Sequence, residues 1–144
     1  MILVDVNLLL YAYSAAAPEH RVAKAWLDQQ LTEADRVGLP WPSLLSFMRL
    51  VTNPRIMPRP RRVPEAWGQV RSWLSAPSAW VPTPTDRHQD VLDALMPHVT
   101  SADLIPDAGL AALAIEHGLA LASSDGDFAR FPGLRWFNPI TEKQ

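Results

Sequence analysis

Short apolar runs alternate with longer amphipathic segments along the chain, and this pattern predicts an α/β fold. The run 2–4 is apolar and stops abruptly at Asp5, which predicts a buried strand, and the apolar segment 6–13 predicts a helix that Asp5 could cap. In the segment 18–35, apolar residues recur at steps of three and four, which predicts an amphipathic helix. Further strands are predicted at 36–39, 80–83, 119–122 and 135–137, further helices at about 43–52, 66–74, 91–99 and 106–117, and a loop at 53–64.

Strands that alternate with helices form a parallel sheet that helices cover on both faces. We therefore expect a short central parallel sheet of about four to five strands, with 80–83 at an edge because it contains a proline. Ligands of such sheets bind beyond the carboxyl ends of the strands. Asp5 and Asp125 each follow a predicted strand, and Asp107 opens a predicted buried helix. These three carboxylates are expected to meet at that edge.

Composition adds limits to this picture. The length of 144 residues and the hydrophobic content of 48% fit a single domain over residues 1–144, and the absence of cysteine excludes disulfides and thiolate metal sites. No apolar run approaches the roughly 20 residues of a membrane span, and no basic segment opens a signal peptide, so we expect a soluble, cytoplasmic protein without a membrane partner. The net charge of −2 means that any nucleic-acid binding must come from a local patch.

The three acids favour a metal site. Carboxylates held close together repel one another, and a bound cation offsets that repulsion. Oxygen ligands select Mg²⁺ or Mn²⁺ over zinc, and such a site supports phosphodiester hydrolysis. Each acid also has a purely structural interpretation: Asp5 as a helix N-cap, Asp107 as a favourable charge at a helix N-terminus, and Asp125 as part of a turn. Their shared position at the edge of the sheet favours the metal site.

Four segments in a fixed order make the sequence similar to a known family. They are VDVNLL at 4–9, FMRLVTNP at 47–54, PDAGLAALA at 106–114 and SDGDFARFPGL at 124–134. Together they resemble the PIN-domain ribonucleases of VapC type, the toxins of type II toxin–antitoxin systems. The resemblance spans nearly the whole chain and implies a PIN-like fold.

The resemblance also implies an activity and a set of partners. It implies a ribonuclease that uses Mg²⁺ or Mn²⁺, cleaves RNA needed for translation, forms a homodimer and is silenced by a small VapB-like antitoxin. Position by position, Asp5, Asp107 and Asp125 match three acidic ligands of the family, and Asn7 matches a polar residue that steadies the site. Asp127 is a neighbour of open role, and the family's Thr/Ser-x-Asp pattern favours Asp125 instead.

One position departs from the family pattern. The family commonly has a glutamate just before the Phe-x-Arg stretch, where this sequence has Ser46, and a hydroxyl is a weaker ligand than a carboxylate. Three outcomes are compatible with this change: an active enzyme with one tightly held metal, replacement by another acid such as Asp103, or an attenuated nuclease that mainly binds. A structural interpretation is that the Ser46 hydroxyl bonds the carbonyl four residues back in its helix.

Arginines are the candidate contacts for RNA or antitoxin. Arg49 could reach an RNA phosphate or form a salt bridge to a surface acid. Arg55, Arg59, Arg61 and Arg62 could contact phosphates or an acidic antitoxin segment, because guanidinium groups bind both kinds of anion. The alternative is a solvated, proline-stiffened loop.

Two other functions compete with the nuclease. A phosphatase of the haloacid-dehalogenase type would use Asp5 as its nucleophile, but it needs an acid at position 7 and a nearby lysine. Position 7 is Asn7, and the only lysines are Lys24 and Lys143. The second competitor is a PIN module that binds RNA or a partner without cutting, which Ser46 suggests.

Overall fold

A computed structural model describes residues 1–33 and 35–142 and shows a five-stranded parallel sheet. The strands run in the order β3-β2-β1-β4-β5, so β1 is central and β3 lies at an edge, as predicted. Residue 34 of the predicted helix 18–35 and residues 143–144 of the predicted domain lie outside the described part. The strands are β1 (Ile2–Val4), β2 (Val37–Gly38), β3 (Ala79–Trp80), β4 (Ala120–Ala122) and β5 (Trp136–Phe137).

Helices cover both faces of this sheet, which confirms the predicted α/β architecture. Helices α1 to α4 share one apolar core with Val4, whereas α5 and α6 share a second core with Leu3. Within the described ranges, no helix is long and apolar enough to cross a membrane. The helices are α1 (Val6–Tyr13), α2 (His20–Glu33), α3 (Trp41–Val51), α4 (Val63–Leu74), α5 (His88–Leu95) and α6 (Leu104–His117), with 3₁₀ turns at Met96–His98 and Gly126–Arg130.

The central strand shows why the sheet needs two helical layers. Successive side chains of a strand point to opposite faces, so Leu3 and Val4 enter different cores. Both are fully buried. The chain around β1 is therefore apolar on both faces, and Asp5 is the first residue at which a polar side chain becomes possible.

Prolines explain three helix starts that the sequence predicted wrongly. Helix α3 begins at Trp41, α4 begins at Val63 inside the predicted loop, and α6 begins at Leu104. Each first turn contains a proline, namely Pro42, Pro64 or Pro106. The first N–H groups of a helix have no intrahelical acceptor, so proline in the first turn removes no bond. Pro42 and Pro64 therefore stand inside helices that were predicted to begin after them, and Pro106 is the third residue of α6 and not its first.

A buried carboxylate joins α6 to the segment between β3 and α5. The Glu116 side chain is inaccessible to solvent, and its Oε1 accepts the Thr85 backbone N–H at 2.8 Å and the Thr85 hydroxyl at 2.7 Å. Its Oε2 contacts the His88 ring. Burial raises the pKa of Glu116, but these hydrogen bonds outweigh burial and hold the pKa below its ordinary value. The contacts fix the C-terminal end of α6.

Candidate metal centre

The site lies at the carboxyl ends of β1 and β4. These strands pair in parallel with Val4 beside Ala122, and the Asp5 N–H continues the pairing by donating to the Ala122 carbonyl at 3.0 Å. Parallel register therefore brings the next residues of the two strands, Asp5 and Ser123, side by side.

Asp5 is both a helix cap and the most buried acid of the site. It is only 8% exposed, its Oδ1 accepts the Val6 N–H at 2.7 Å, and its Oδ2 accepts the Ser123 hydroxyl at 2.7 Å. Burial raises the pKa of Asp5, the two hydrogen bonds oppose that rise, and the nearby charge of Asp125 adds to it. The capping interpretation of Asp5 is thus correct, and the cap lies within the acidic site.

Ser123 is the central residue of the hydrogen-bond network, and no sequence pattern described above singled it out. It is fully buried, and its Oγ accepts the Asn7 side-chain amide at 3.2 Å and the Asp125 N–H at 3.0 Å while donating to Asp5. Asn7 Oδ1 in turn accepts the Ser124 N–H at 3.3 Å. The signal that could have identified Ser123 is the register of the two strands, because Ser123 follows β4 directly, just as Asp5 follows β1.

Three other carboxylates converge beside this network. One oxygen from each of Asp107, Asp125 and Asp127 lies within 4.8 Å of the other two. Asp107 lies in the first turn of α6, and Asp125 caps the 3₁₀ turn after β4 by accepting the Asp127 N–H at 2.9 Å. Asp127 is therefore grouped with two of the predicted acids, whereas Asp5 lies deeper and adjoins them.

The electrostatics of Asp107 show how crowded these acids are. Burial, followed by the charges of Asp125, Asp5 and Asp127, raises the pKa of Asp107 to about 6. Arg130 opposes this rise, and its guanidinium lies 3.4 Å from Asp127 Oδ1. A carboxyl group that resists ionisation among other carboxylates is stabilised by an added cation. The donor set consists of oxygens, so the residues fit a hard divalent cation such as Mg²⁺ or Mn²⁺.

Neither residue considered for the fourth acidic position adds a carboxylate to this group. Ser46 is half-buried on α3, and in the described part of the chain its hydroxyl makes no hydrogen bond to the carbonyl four residues back, contrary to the structural interpretation. Asp103 is exposed and precedes α6 without capping it. The acids whose charges raise the pKa of Asp107 do not include Asp103.

The candidate arginines are all exposed. Over residues 1–33 and 35–142, none of the five has a carboxylate within 4.0 Å, so the salt bridge considered for Arg49 is not formed. Arg61 lies 5.8 Å from the ring centre of Tyr13, with which it lines a groove. The guanidinium groups of all five arginines remain available to an anionic partner. The five are Arg49, Arg55, Arg59, Arg61 and Arg62.

Comparison with known proteins identifies the family. Residues 2–134 match the family model described as PIN domain. Ribonuclease VapC37 of Mycobacterium tuberculosis is 47% identical over 140 residues, which cover 96% of this chain and 97% of the relative. Ribonuclease VapC33 of the same species is 40% identical over 143 residues, which cover 99% of this chain and 100% of the relative.

Solved structures show the same fold. The crystal structure of VapBC2 from Rickettsia felis bound to a promoter DNA fragment contains a chain that matches with a TM-score of 0.70 at 14% identity, over 96% of this chain and 98% of that one. FitAcB from Neisseria gonorrhoeae matches with a TM-score of 0.69 at 20% identity, over 99% of this chain and 100% of that one. By its sequence relatives and its five-stranded parallel sheet, the chain belongs to the VapC-type proteins of the PIN-domain family.

Proposed function

We propose that this protein is a metal-dependent endoribonuclease and the toxin of a VapBC-type toxin–antitoxin system. The observation that carries the proposal is the convergence of Asp107, Asp125 and Asp127 beside the buried Asp5. The relatives named Ribonuclease VapC support RNA as the substrate. The growth arrest expected of such a toxin would come from cleavage of RNA needed for translation in the cytoplasm.

Each polar residue of the site has a role in this proposal. Asp5, Asp107 and Asp125 hold Mg²⁺ or Mn²⁺, Asp127 supports them, and Asn7 orients Ser123. The cation supplies positive charge that stabilises negative charge on the oxygens of a phosphodiester. The raised pKa of Asp107 means that its carboxyl group is partly protonated near pH 6 and gives up that proton when a cation is bound.

The partners follow from the exposed cations and from the relatives. Arg49 and the loop arginines Arg55, Arg59, Arg61 and Arg62 contact RNA phosphates or an acidic segment of a VapB-like antitoxin, since guanidinium groups bind phosphate and carboxylate alike. The neighbouring VapBC2 structure supports an antitoxin partner. We further propose that two copies of the chain associate as a homodimer.

Ser46 supports a second candidate function. It stands where the family commonly has a glutamate, so the protein would be an attenuated PIN module that binds RNA or a partner without cleaving it. The two candidate functions differ in whether Asp107, Asp125 and Asp127 sustain hydrolysis of RNA without a glutamate at position 46.

The deciding experiment incubates purified, antitoxin-free protein with a structured RNA in Mg²⁺ or Mn²⁺. We expect cleavage that EDTA abolishes and that Asp125→Asn reduces by at least about 100-fold. Asp93→Asn, which neutralises an exposed acid of α5, is the matched control and keeps the parental rate. Equal cleavage by both variants would show that the carboxyl edge is not the active site. RNA binding without cleavage, together with cleavage by Ser46→Glu, would support the attenuated module.

A further inference from the structure

Arg130 places a positive charge beside the acidic site. It ends the 3₁₀ turn Gly126–Arg130 and follows Asp127 by three residues. Its Nη2 lies 3.4 Å from Asp127 Oδ1, and no other arginine of residues 1–33 and 35–142 has a carboxylate within 4.0 Å. Among the charges that act on Asp107, that of Arg130 alone lowers its pKa. One cation therefore acts on two acids of the site.

Three contacts of unequal strength hold the Arg130 guanidinium. Its Nε donates to the Asp127 carbonyl at 3.1 Å, its Nη2 to Asp127 Oδ1 at 3.4 Å, and its Nη1 to the Thr100 hydroxyl at 3.4 Å. Hydrogen bonds from N–H to oxygen usually measure about 2.7–3.2 Å, so the two Nη contacts are long and weak. Ion pairs at exposed positions also contribute little to stability. The guanidinium is thus anchored at Nε, and its Nη groups can exchange their partners at low cost.

The Arg130 guanidinium has unused hydrogen-bonding capacity. A guanidinium group carries five N–H donors, and the three contacts use one donor each. Two donors therefore have no acceptor within the described part of the chain. The Arg130 side chain is 34% exposed, so an anion can approach it from solvent. Paired N–H groups of a guanidinium match the oxygens of a phosphate. Arg130 can therefore bind a phosphate without giving up its Nε anchor.

The charges of the site explain why such a cation is needed. A nuclease must bring an anionic phosphodiester to a group of carboxylates. Asp5, Asp107, Asp125 and Asp127 carry four negative charges when all are ionised, and a divalent cation offsets only two of them. The remaining excess repels the substrate. Arg130 offsets one further charge, and the 3₁₀ turn that it shares with Asp127 keeps it beside the acids.

We propose that Arg130 exchanges partners between two states of the site. It pairs with Asp127 in the metal-free protein, and it binds a phosphate oxygen of RNA once a divalent cation takes over Asp127. The proposal rests on the nuclease function proposed above and adds a substrate-binding residue to it. The positive charge of Arg130 thus opposes metal binding and favours RNA binding. A residue that only supports the fold of the site would favour both, so the opposite signs distinguish the two roles.

The first measurement is the Mn²⁺ affinity of the intact chain without RNA, by titration calorimetry at pH 8. This pH lies well above the pKa of Asp107, which is about 6, so protons do not compete with the metal. We expect Arg130→Gln to bind Mn²⁺ about 5-fold more tightly than the parent, on the scale of one partly exposed ion pair. Arg130→Lys keeps the charge and should bind Mn²⁺ like the parent.

Arg135→Gln is the matched control and should also keep the parental Mn²⁺ affinity. Arg135 is likewise an exposed arginine that donates to a backbone carbonyl, that of Gly118. It precedes β5 and so lies at the amino end of a strand, whereas the acids lie at the carboxyl ends. The control therefore removes an arginine without changing the charge beside the site.

The second measurement is steady-state cleavage of a structured RNA at saturating Mn²⁺, where differences in metal affinity have no effect. We expect Arg130→Gln to lower kcat/KM by about 10- to 100-fold, as the loss of a hydrogen bond between charged groups does. Arg130→Lys should recover part of this loss, because lysine keeps the charge but not the paired N–H groups. Arg135→Gln should cleave like the parent, and all variants should unfold near the parental urea concentration.

Three results would overturn the inference. Arg130→Gln binds Mn²⁺ no more tightly than the parent, its kcat/KM equals that of Arg135→Gln, or it unfolds at a clearly lower urea concentration. Cleavage by the parent together with any of these results refutes only the role of Arg130. A parent that does not cleave RNA refutes the nuclease, and the anisotropy of fluorescent RNA in Mn²⁺ then tests Arg130. In that assay Arg130→Gln must bind RNA at least about 10-fold more weakly than Arg135→Gln does.

Discussion

Replacing Ser123 by alanine tests whether one buried hydroxyl organises the acidic site. Its hydroxyl donates its one hydrogen to Asp5 and accepts hydrogen bonds from Asn7 and Asp125 on its two lone pairs. The hydroxyl therefore has no unused hydrogen-bonding capacity. The variant leaves the buried Asp5 Oδ2 without its donor and leaves two N–H groups without their acceptor. The loss therefore affects two predicted metal ligands and the residue expected to steady them.

The magnitude follows from these three bonds. A hydrogen bond to a charged acceptor contributes about 1.5–3 kcal/mol, and each of the two neutral bonds about 0.5–1 kcal/mol because their donors are only partly buried. Ser123→Ala should thus lower the free energy of unfolding by about 3 kcal/mol. With a urea slope near 2 kcal/mol per molar, the unfolding midpoint should fall by about 1.5 M. The Ser123 bond also opposes the rise in the pKa of Asp5, so its loss should weaken Mn²⁺ binding by about 10- to 100-fold.

The assay is urea unfolding in EDTA at pH 8, followed by Mn²⁺ titration calorimetry of the folded variants. Ser124→Ala is the matched control, because Ser124 enters the network only through its backbone N–H, and its midpoint should stay near the parent's. In an Asp5→Asn background, the cost of Ser123→Ala should shrink by about 1–2 kcal/mol, since the charged acceptor is gone. If Ser123→Ala behaves like Ser124→Ala, or the double-mutant cycle shows no coupling, the hydroxyl does not organise the site.

Three further predictions concern charge and can be tested on the same material. Without metal, the free energy of unfolding should fall as the pH rises from about 4 to 6. In this pH range the raised pKa makes Asp107 bind more protons in the folded protein than in the unfolded chain. Asp107→Asn should therefore reduce the pH dependence of the free energy of unfolding, measured by urea titrations at several pH values. Glu116→Gln should destabilise the protein by about 2 kcal/mol at pH 7 through its weakened hydrogen bonds; because the pKa of Glu116 is depressed, the difference from the parent should diminish on acidification. Asp127→Asn should weaken Mn²⁺ binding measured by calorimetry by about 10-fold, and Ser46→Glu should restore part of that loss, whereas Asp103→Asn should change nothing.

The sequence identified the fold because its strongest patterns depend on local physics. The run 2–4 and the helix 6–13 match the observed bounds, since an apolar run that ends at Asp5 leaves few alternatives for the backbone. The strand at 36–39 proved to be only Val37–Gly38, because pairing on both sides, and not apolar character, determines where strand structure ends. The predicted helix starts were wrong because a proline can mark either the end of a helix or its first turn.

The sequence predicts those residues of the site whose side-chain chemistry alone points to a metal site. Carboxylates at strand ends are visible in a sequence, and Asp107 and Asp125 do converge. Ser123 was missed because a serine in a turn is common, and its importance arises only from pairing with a strand more than a hundred residues away.

The replacement of the family glutamate by Ser46 has a limited effect on the assembled acids for reasons that lie in the topology. Asp107, Asp125 and Asp127 are positioned by α6 and the end of β4, whereas Ser46 belongs to α3, whose core lies on the opposite face of the sheet. The loss of a charge on α3 therefore leaves their convergence intact. Asp103, the acid considered as a substitute, does not belong to the group, whereas Asp127 does, so with Asp5 the site still presents four carboxylates. The exposed Asp127, which also neighbours Arg130, is held less firmly than a ligand on a buried helix would be. We therefore expect Ser46 to weaken the affinity of the site for a cation without abolishing the site.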